Sequence, residues 1–334
     1  MVLKKDWYYG HPSQVSGVEE HRLTGGKGDG MRLLQVRNGL GLEFTVSADR
    51  CADLARLSFK GDNYGYFSPC GYVAPQYYDE KGEGFLKSFT AGFLTTCGLT
   101  AAGNACQDAG EDVPLHGKIG NTPAERVSYL EEEEQITLWA RVSEAAIFTH
   151  KLVLDRTLRC SKTENKLVLT DKVTNVGGAA SPSMMLYHFN MGYPLLCERS
   201  ELYIPSTKVL PRNERAAEGL ERWAEILPPQ PVFEEQCYYH QFNKAGTAAI
   251  YNPELGKGLA MTFDAEALPY FVQWKMLGAK DYVMGLEPGN CLPDGRDAMR
   301  REGTLAFLEP GEEKVFEITL EIIDGPEQWA ARKG

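Results

Sequence analysis

Three polar side chains lie in apolar or glycine-rich surroundings and are of the types that move protons near neutral pH. His116 lies in Pro-Leu-His-Gly, His188 in Leu-Tyr-His-Phe-Asn, and Glu287 in Gly-Leu-Glu-Pro-Gly-Asn. An imidazole titrates near ~6.5, and burial can raise the pKa of a carboxyl toward neutrality. Two imidazoles and a carboxylate could therefore act as a general acid–base set, if the fold brings these distant residues together.

Each of the three residues also has a structural interpretation. His188 follows an apolar run and could be a hydrogen-bonded core histidine. His116, next to Gly117, could be a loop histidine bonded to backbone carbonyls. Glu287 could be an exposed carboxylate in a turn, although the apolar run before it makes this less favourable. A carboxylate at the end of such a run needs a partner or a polar cleft.

Four further residues have side chains suited to a polyhydroxy ligand. Arg50 and Asp53 follow a predicted strand and could hydrogen-bond several hydroxyls, or form a structural ion pair with each other. Trp274 offers a flat face for a sugar ring, with Lys275 beside it. The alternative for this pair is a core aromatic residue with a lysine that reaches to the surface.

The composition restricts the class of protein. The chain has 334 residues, 43% hydrophobic and 24% charged, which is ordinary for a globular protein. Its net charge of -11 argues against nucleic-acid binding, which depends on Lys and Arg. One arginine cluster could bind a phosphate or sulfonate, with a solvated loop as the alternative: Arg296, Arg300 and Arg301.

The cellular setting is predicted from what the sequence does not contain. The amino terminus has no apolar signal segment, and no stretch approaches 18 apolar residues, so we expect neither secretion nor membrane spanning. The eight cysteines are scattered and include no C-x-x-C pair. These features predict a cytoplasmic protein with reduced, mostly buried thiols. We also expect a monomer or homodimer, although neither feature decides between them.

The pattern of the chain is mostly that of strands in one β-rich domain over residues 1–334, with no evident repeat or linker. Alternating runs predict hairpins, and Asn38-Gly39 favours a tight two-residue turn in the first of them. The predicted strand pairs are 33–37 with 40–46, 127–130 with 136–142, 151–158 with 167–173, 248–251 with 259–263, and 304–308 with 315–323. We therefore predict an all-β fold, a large sandwich or barrel.

Helical patterns are few. Residues 213–226 place apolar side chains on one face and end at Pro228-Pro229, and 327–332 suggest a short terminal turn. Residues 85–121 look too irregular for a strand and too glycine-rich for a helix. A loop of this length in a compact domain is more often functional than disordered, and it contains His116.

Taken together, these motifs resemble the aldose 1-epimerases, or galactose mutarotase-like proteins, over roughly residues 30–323. The resemblance depends on a His-Gly after a long loop, a His beside Phe-Asn at a strand end, and a late Glu followed by Pro-Asp and Leu-x-Pro-Gly-Glu. A bacterial branch of epimerase-like proteins is most similar in the segments 49–53, 94–99, 115–117 and 187–194.

The resemblance implies a large antiparallel β-sandwich with few short helices, whose concave face binds a small-molecule sugar. It implies that His188 is the general acid, Glu287 the general base and His116 a substrate contact. We expect Asn190, close to His188, among the substrate contacts as well. The Gly-Arg-x-x-Asn-Arg segment that supplies a sugar-binding arginine in the family is not found here. Arg50 is our candidate for that role on chemical grounds.

The function expected from this resemblance is the interconversion of α and β anomers of a free or modified sugar, without a cofactor or metal. Three alternatives stay open. The same sandwich could bind carbohydrate without catalysis. Two histidines and a carboxylate could hold iron, manganese or zinc in a metal-dependent sugar enzyme. A glycosidase could use Glu287 and Asp294 as its two carboxylates, although their spacing in the sequence does not indicate their distance in space.

Overall fold

The structure, a computed structural model, describes residues 5–82 and 84–333. The strands in these residues are β1 Gly17–Arg22, β2 Arg32–Arg37, β3 Leu42–Ser47, β4 Asp53–Phe59, β5 Asp62–Asn63, β6 Tyr66–Phe67, β7 Ala91–Gly92, β8 Leu94–Leu99, β9 Cys106–Asp108, β10 Glu111–Val113, β11 Arg126–Glu131, β12 Gln135–Ala145, β13 Lys151–Ser161, β14 Lys166–Asn175, β15 Ser181–Pro182, β16 Met184–Met191, β17 Glu201–Tyr203, β18 Lys208–Pro211, β19 Gln236–Gln241, β20 Ala245–Asn252, β21 Lys257–Asp264, β22 Tyr270–Leu277, β23 Tyr282–Gly289, β24 Phe307–Leu308 and β25 Glu313–Asp324.

Helices form a small part of the described chain. The α-helices are α1 Glu214–Ala217, α2 Arg296–Arg301 and α3 Pro326–Lys333. Short 3-10 turns occupy Lys5–Tyr8, Pro12–Gln14, Gly26–Gly28, Pro75–Tyr77, Gly84–Lys87, Ile119–Asn121 and Leu220–Arg222. Within the described residues, no helix combines the length and apolar character needed to cross a membrane.

Three antiparallel sheets contain most of the strands. Their orders are β1-β2-β3-β4-β5, β11-β12-β13-β14-β25-β21-β20-β17, and β18-β19-β22-β23-β16-β8. The eight-stranded and six-stranded sheets pack face to face, with the Tyr187 and Phe316 ring centroids 6.5 Å apart and those of Phe263 and Phe271 5.6 Å apart. The predicted all-β sandwich is confirmed.

The burial pattern distinguishes the two sides of the sandwich. Strands β13 and β14 alternate strictly between buried and half-exposed residues, as expected for a sheet with one face on the core and one toward solvent. Strand β16 is buried at all eight positions. Loops cover its second face, and this covered face of the six-stranded sheet is where polar side chains can be held away from water.

The first predicted hairpin is confirmed as β2 and β3, but the prediction of a two-residue turn between them is wrong. Residues 38–41 connect the strands, so the loop has four residues. The Asn38 side chain is buried, and its Oδ1 accepts hydrogen bonds from the backbone N–H groups of Leu40 and Leu42. The amide therefore organises a wider loop through its side chain, which competes with a two-residue turn.

Two further expectations are wrong for reasons of packing. Residues 94–99, expected to lie in the irregular segment 85–121, form strand β8, which pairs with β16. This strand is buried at every position, so it lacks the alternation that identifies a strand with one exposed face. Strands β24 and β25 do not pair with each other. Strand β24 pairs with β15, and β25 lies between β14 and β21 in the large sheet.

The helix predicted over 213–226 is reduced to α1 and one 3-10 turn. Asn213 caps α1 by accepting a hydrogen bond from the Ala216 N–H, but the helix ends at Ala217. A side chain at Gly219 would overlap those of Gln236 and Tyr238 on β19. The segment lies too close to the sheet to continue as a regular helix. The terminal helix expected over 327–332 is confirmed as α3.

A buried ionic cluster joins the three sheets. The Arg156 guanidinium on β13 is 1% exposed and donates to both carboxylate oxygens of Asp171 at 2.9 and 2.7 Å. It also donates to Asp53 of the five-stranded sheet at 2.6 Å and to Thr96 of the six-stranded sheet at 2.8 Å. The Tyr187 hydroxyl donates to Asp171 at 2.9 Å. One cation thus holds groups from all three sheets.

The cluster predicts a large loss of stability when its cation is removed. Arg156→Met should lower the free energy of unfolding by about 3–5 kcal/mol, because two buried carboxylates then lose their counterion. Urea unfolding measures this change. Arg141→Met is the control, since Arg141 lies on the neighbouring strand and pairs with Asp155 at the surface. An equal loss of unfolding free energy in both variants would contradict the prediction that burial makes the Arg156 ion pairs more important than a surface ion pair.

Candidate active site

His188 and Glu287 are brought side by side by the pairing of β16 with β23. Phe189 lies opposite Leu286 in the register, which places His188 opposite Glu287 on the covered face of the six-stranded sheet. The Nε2 atom of His188 lies 3.3 Å from Oε1 of Glu287. Both side chains are almost completely buried, at 6% and 2% exposure. Residues separated by about a third of the sequence thus form one acid–base pair.

A glycine makes room for the carboxyl group. Gly285 lies two residues before Glu287 on β23 and therefore on the same face of the sheet. A side chain at this position would overlap the Glu287 carboxyl group and the Trp274 side chain. The carboxyl group consequently lies over the bare backbone of Gly285, close to the sheet.

His116 reaches the same place from a loop. Its backbone has φ of 59° and that of Gly117 has φ of 72°, a local reversal that turns the imidazole inward. The backbone N–H of His116 donates to the Gly103 carbonyl at 2.7 Å. The centroids of the His116 and His188 rings are 5.6 Å apart.

Aromatic rings surround the imidazole of His188. The rings of Phe89, His116 and Trp274 have centroids 5.5, 5.6 and 5.3 Å from it, all in edge-on arrangements. Phe89 comes from the segment that precedes β7, whereas Trp274 lies on β22. The indole Nε1–H of Trp274 donates to the Glu235 carboxylate at 2.7 Å, which fixes the orientation of the ring.

These side chains line a cavity of about 480 Å³, within the range typical of small-molecule sites. The lining residues are Phe85, Leu86, Phe89, Gly103, Asn104, Leu115, His116, His188, Arg212, Glu235, Cys237, Val272, Trp274, Glu287 and Pro293. Three buried polar atoms among them make no hydrogen bond in the described structure: His116 Nδ1, His188 Nδ1 and Glu287 Oε1. The 3.3 Å approach of His188 Nε2 to Glu287 Oε1 is a contact without hydrogen-bond geometry. Buried polar atoms are seldom left unpaired, so these three favour a ligand site here.

A second cavity of about 400 Å³ lies on the other side of the segment that contains His116. Its charged groups already have partners. Glu144 accepts from the Leu99 N–H and the Thr100 hydroxyl, and Arg296 donates to Glu111. We therefore assign the site to the cavity with the unpaired imidazole and carboxyl atoms.

Burial sets the protonation of the acid–base groups. It lowers the pKa of His188 to about 4. Burial, together with the neighbouring His188, lowers the pKa of His116 to about 3. Burial also raises the pKa of the Glu287 carboxyl well above its usual range, and the charge of Glu235 acts in the same direction. Burial thus favours the neutral form of each group, the imidazole of His188 and the carboxylic acid of Glu287.

Arg212, which the sequence analysis did not select, supplies the cavity with a guanidinium group. It follows β18, and its Nε donates to Asp294 Oδ1 at 2.9 Å. The Tyr239 hydroxyl also bonds to Asp294. One nitrogen, Nη1, reaches only the sulfur of Cys237, at 3.9 Å. The pairing of Asp294 with Arg212 also gives this carboxylate a structural role, which argues against the glycosidase alternative.

Arg50, our candidate sugar-binding arginine, lies outside this cavity. Its guanidinium donates to the backbone carbonyls of Gly120, Val73 and Ser88 at 2.6, 2.8 and 3.1 Å. Asp53 is also absent from the cavity lining, because its carboxylate is bonded to Arg156 and Thr96 in the buried ionic cluster. The interpretation of both residues as substrate contacts is therefore corrected in favour of structural roles, an alternative that the sequence had left open.

Lys275 and Asn190 also lie away from the cavity lining. The ammonium group of Lys275 donates to the carbonyls of Trp223 and Glu225 at 3.1 and 2.7 Å. It points to the opposite face of the sheet from Trp274, since successive strand residues alternate. The Asn190 amide is fully buried and donates to the His188 carbonyl at 2.8 Å, so it supports the backbone of the site.

The arginine cluster after β23 does not form an anion site. Arg296 is 2% exposed, and both Arg296 and Arg300 donate to Asp108 at 2.6 Å. Within residues 5–82 and 84–333, no group of three or more His, Cys, Asp and Glu side chains is placed to hold a metal ion. The metal hypothesis thus has no described set of ligands.

Comparison with protein families gives a match over nearly the whole chain. The model of the family described as a domain of unknown function, DUF4432, matches residues 28–322. The chain belongs to this family. No curated protein sequence matches the chain.

Solved structures connect the fold with the mutarotases. A candidate aldose 1-epimerase from Klebsiella pneumoniae is 28% identical, with a TM-score of 0.89 over 95% of this chain and 85% of that one. A galactose mutarotase-like protein from Clostridium acetobutylicum is 15% identical, with a TM-score of 0.67 over 93% and 99% of the two chains. A galactose 1-epimerase from Lactobacillus acidophilus is 14% identical, with a TM-score of 0.63 over 93% and 99%. The expected resemblance to this superfamily is confirmed at the level of fold.

The buried neutral His116 predicts acid sensitivity. Its folded-state pKa of about 3 lies below that of the unfolded chain, so only the unfolded chain gains the proton as the pH falls from about 6.5 toward 3. The free energy of unfolding should decrease over this interval, and His116→Gln should reduce the slope by up to about 1.4 kcal/mol per pH unit.

Urea unfolding at several pH values between 7.5 and 4 measures this slope. His21→Gln, which alters an exposed histidine, is the matched control. A His116→Gln slope equal to that of the wild type would show that His116 takes up its proton in the folded protein.

Proposed function

We propose that this protein interconverts the α and β anomers of a sugar. The observation that carries the proposal is the 3.3 Å contact between the buried His188 and Glu287 at one wall of the cavity. The ring oxygen and the anomeric hydroxyl oxygen of a sugar are bonded to the same carbon. An acid and a base that serve these two oxygens must therefore lie close together, as these two groups do.

The proposed reaction begins with a proton transfer inside the pair. Burial favours a proton on Glu287 over one on His188, and passage of this proton to His188 produces a carboxylate beside an imidazolium without a change in net charge. The carboxylate then removes the proton from the anomeric hydroxyl, while the imidazolium protonates the ring oxygen. The bond between the anomeric carbon and the ring oxygen breaks as the carbonyl forms.

Anomer exchange follows from rotation of the open chain. The carbonyl turns its other face to the hydroxyl that was the ring oxygen, and closure reverses both proton transfers. Each group must act in both directions, so similar proton affinities in the substrate complex favour turnover. The Phe89 and Trp274 rings around His188 limit the access of water to these steps.

The sugar has three candidate contacts besides the acid–base pair. His116 presents its imidazole beside His188, and Trp274 offers an apolar ring surface at the wall of the cavity. Arg212 takes the place that we first gave to Arg50, since its Nη1 has only a long contact to sulfur. The N–H groups of Nη1 can therefore donate to a neutral hydroxyl of the sugar.

The acid–base assignment predicts that Glu287→Gln and His188→Asn each reduce mutarotation by about 10²–10⁴-fold, because each variant lacks one proton-transfer group. Exchange NMR between the α and β anomers measures the rate. Glu254→Gln, which changes an exposed carboxylate far from the pair in sequence, is the control. Full activity in Glu287→Gln would contradict the mechanism. Sugar binding by a wild-type protein that accelerates no anomer would instead indicate a carbohydrate-binding protein.

A second prediction concerns binding. Arg212→Lys should raise KM by roughly 10-fold with a smaller change in kcat, because the single nitrogen of lysine cannot replace both Nε at Asp294 and Nη1 in the cavity. Steady-state rates over a range of sugar concentrations separate the two constants. Arg199→Lys, at an exposed ion pair, is the control. A fall in kcat at constant KM would place Arg212 in the proton-transfer step.

A further inference from the structure

Glu235 is a carboxylate in the cavity that the proton transfers do not use. It directly precedes β19, and its side chain is exposed. The Trp274 indole holds its Oε2 at 2.7 Å. The carboxylate is therefore fixed at the wall of the cavity.

Among the described residues of the lining, no cation without a counterion is present to balance this charge. Of the described residues that line it, Arg212 has the one fixed positive charge. The Asp294 carboxylate is bonded to Arg212 at 2.9 Å and neutralises it. His116 and His188 are neutral because burial lowers the pKa of each, to about 3 and about 4. Counted together with Asp294, the charged groups at the cavity thus carry a net negative charge, within a chain whose net charge is -11.

On the basis of the proposed function, we propose that Glu235 determines specificity by excluding sugars with a phosphate, sulfonate or carboxylate group. An anionic group in the cavity would lose its water beside a fixed carboxylate, and the one described cation of the lining already has Asp294 as its counterion. A cleft with a net charge also lowers the local concentration of ligands of the same sign. The substrates selected in this way are uncharged aldoses, recognised through their hydroxyl groups.

The sequence contains a matched pair of variants for a test. Glu235→Gln removes the charge but keeps an oxygen that can accept from the Trp274 indole. Glu234→Gln makes the same chemical change one residue earlier, where the carboxylate is 76% exposed and lies near Arg215. A general effect of net charge is the same in both variants, whereas an effect of the cavity charge appears only in Glu235→Gln.

The experiment compares kcat/KM for anomer exchange of glucose and glucose 6-phosphate by exchange NMR. We expect the wild type and Glu234→Gln to prefer glucose. Glu235→Gln should reduce this preference by on the order of 10-fold. The ratio of the two substrates isolates repulsion of the ligand, because any shift in the pKa of Glu287 affects both sugars alike.

Salt gives an independent readout. Screening shortens the range of an exposed charge from about 10 Å at 0.1 M salt to about 3 Å at 1 M. The preference of the wild type should therefore decrease at high salt, while that of Glu235→Gln changes little. A structural role of Glu235 in orienting Trp274 would not produce this dependence.

Two results would overturn the inference: a wild type that uses glucose 6-phosphate as well as glucose, or equal effects of Glu234→Gln and Glu235→Gln. A protein that accelerates neither sugar contradicts the proposed function separately. In that case calorimetric binding of the same two sugars tests the charge selectivity. Failure to bind glucose more tightly than glucose 6-phosphate then overturns it.

Discussion

The position of the candidate site depends on one buried cation. Arg156 is held by Asp171 within its own sheet and reaches Asp53 and Thr96 on the two other sheets. The Tyr187 hydroxyl completes the group by bonding to Asp171. This bond fixes the side of β16 that faces the core. His188, the next residue, must then point to the opposite face, because side chains alternate along a strand.

The same constraint makes the site sensitive to register. A shift of β16 by one residue would place the imidazole of His188 in the core and the phenol of Tyr187 in the cavity. The ionic cluster opposes such a shift, since it would leave the carboxylate of Asp171 with one donor fewer in a buried setting. Stability and proton transfer are thus linked through two neighbouring residues that serve opposite faces of one sheet.

Much of the sandwich could be predicted from the sequence, because strands with one face to solvent show their period directly, as β13 and β14 do. The predictions that are wrong concern segments in which the alternation of buried and exposed residues is absent or is overridden by packing. Strand β8 is buried on both faces and has no alternation to detect. The segment around Gly219 has a helical pattern, but its closeness to β19 limits it to single turns. In both cases tertiary packing overrides the local pattern.

From the sequence alone, His116, His188 and Glu287 lie in settings unusual for solvated residues, and their order indicates the superfamily. It could not show which of the other polar residues face the cavity. Alternation places Trp274 and Lys275 on opposite faces, but only the packed sheets decide which face is the core. As arginines, Arg50 and Arg212 are equally suited to bind sugar hydroxyls. The three carbonyls that bind Arg50, and the open side of Arg212, exist only after distant segments converge.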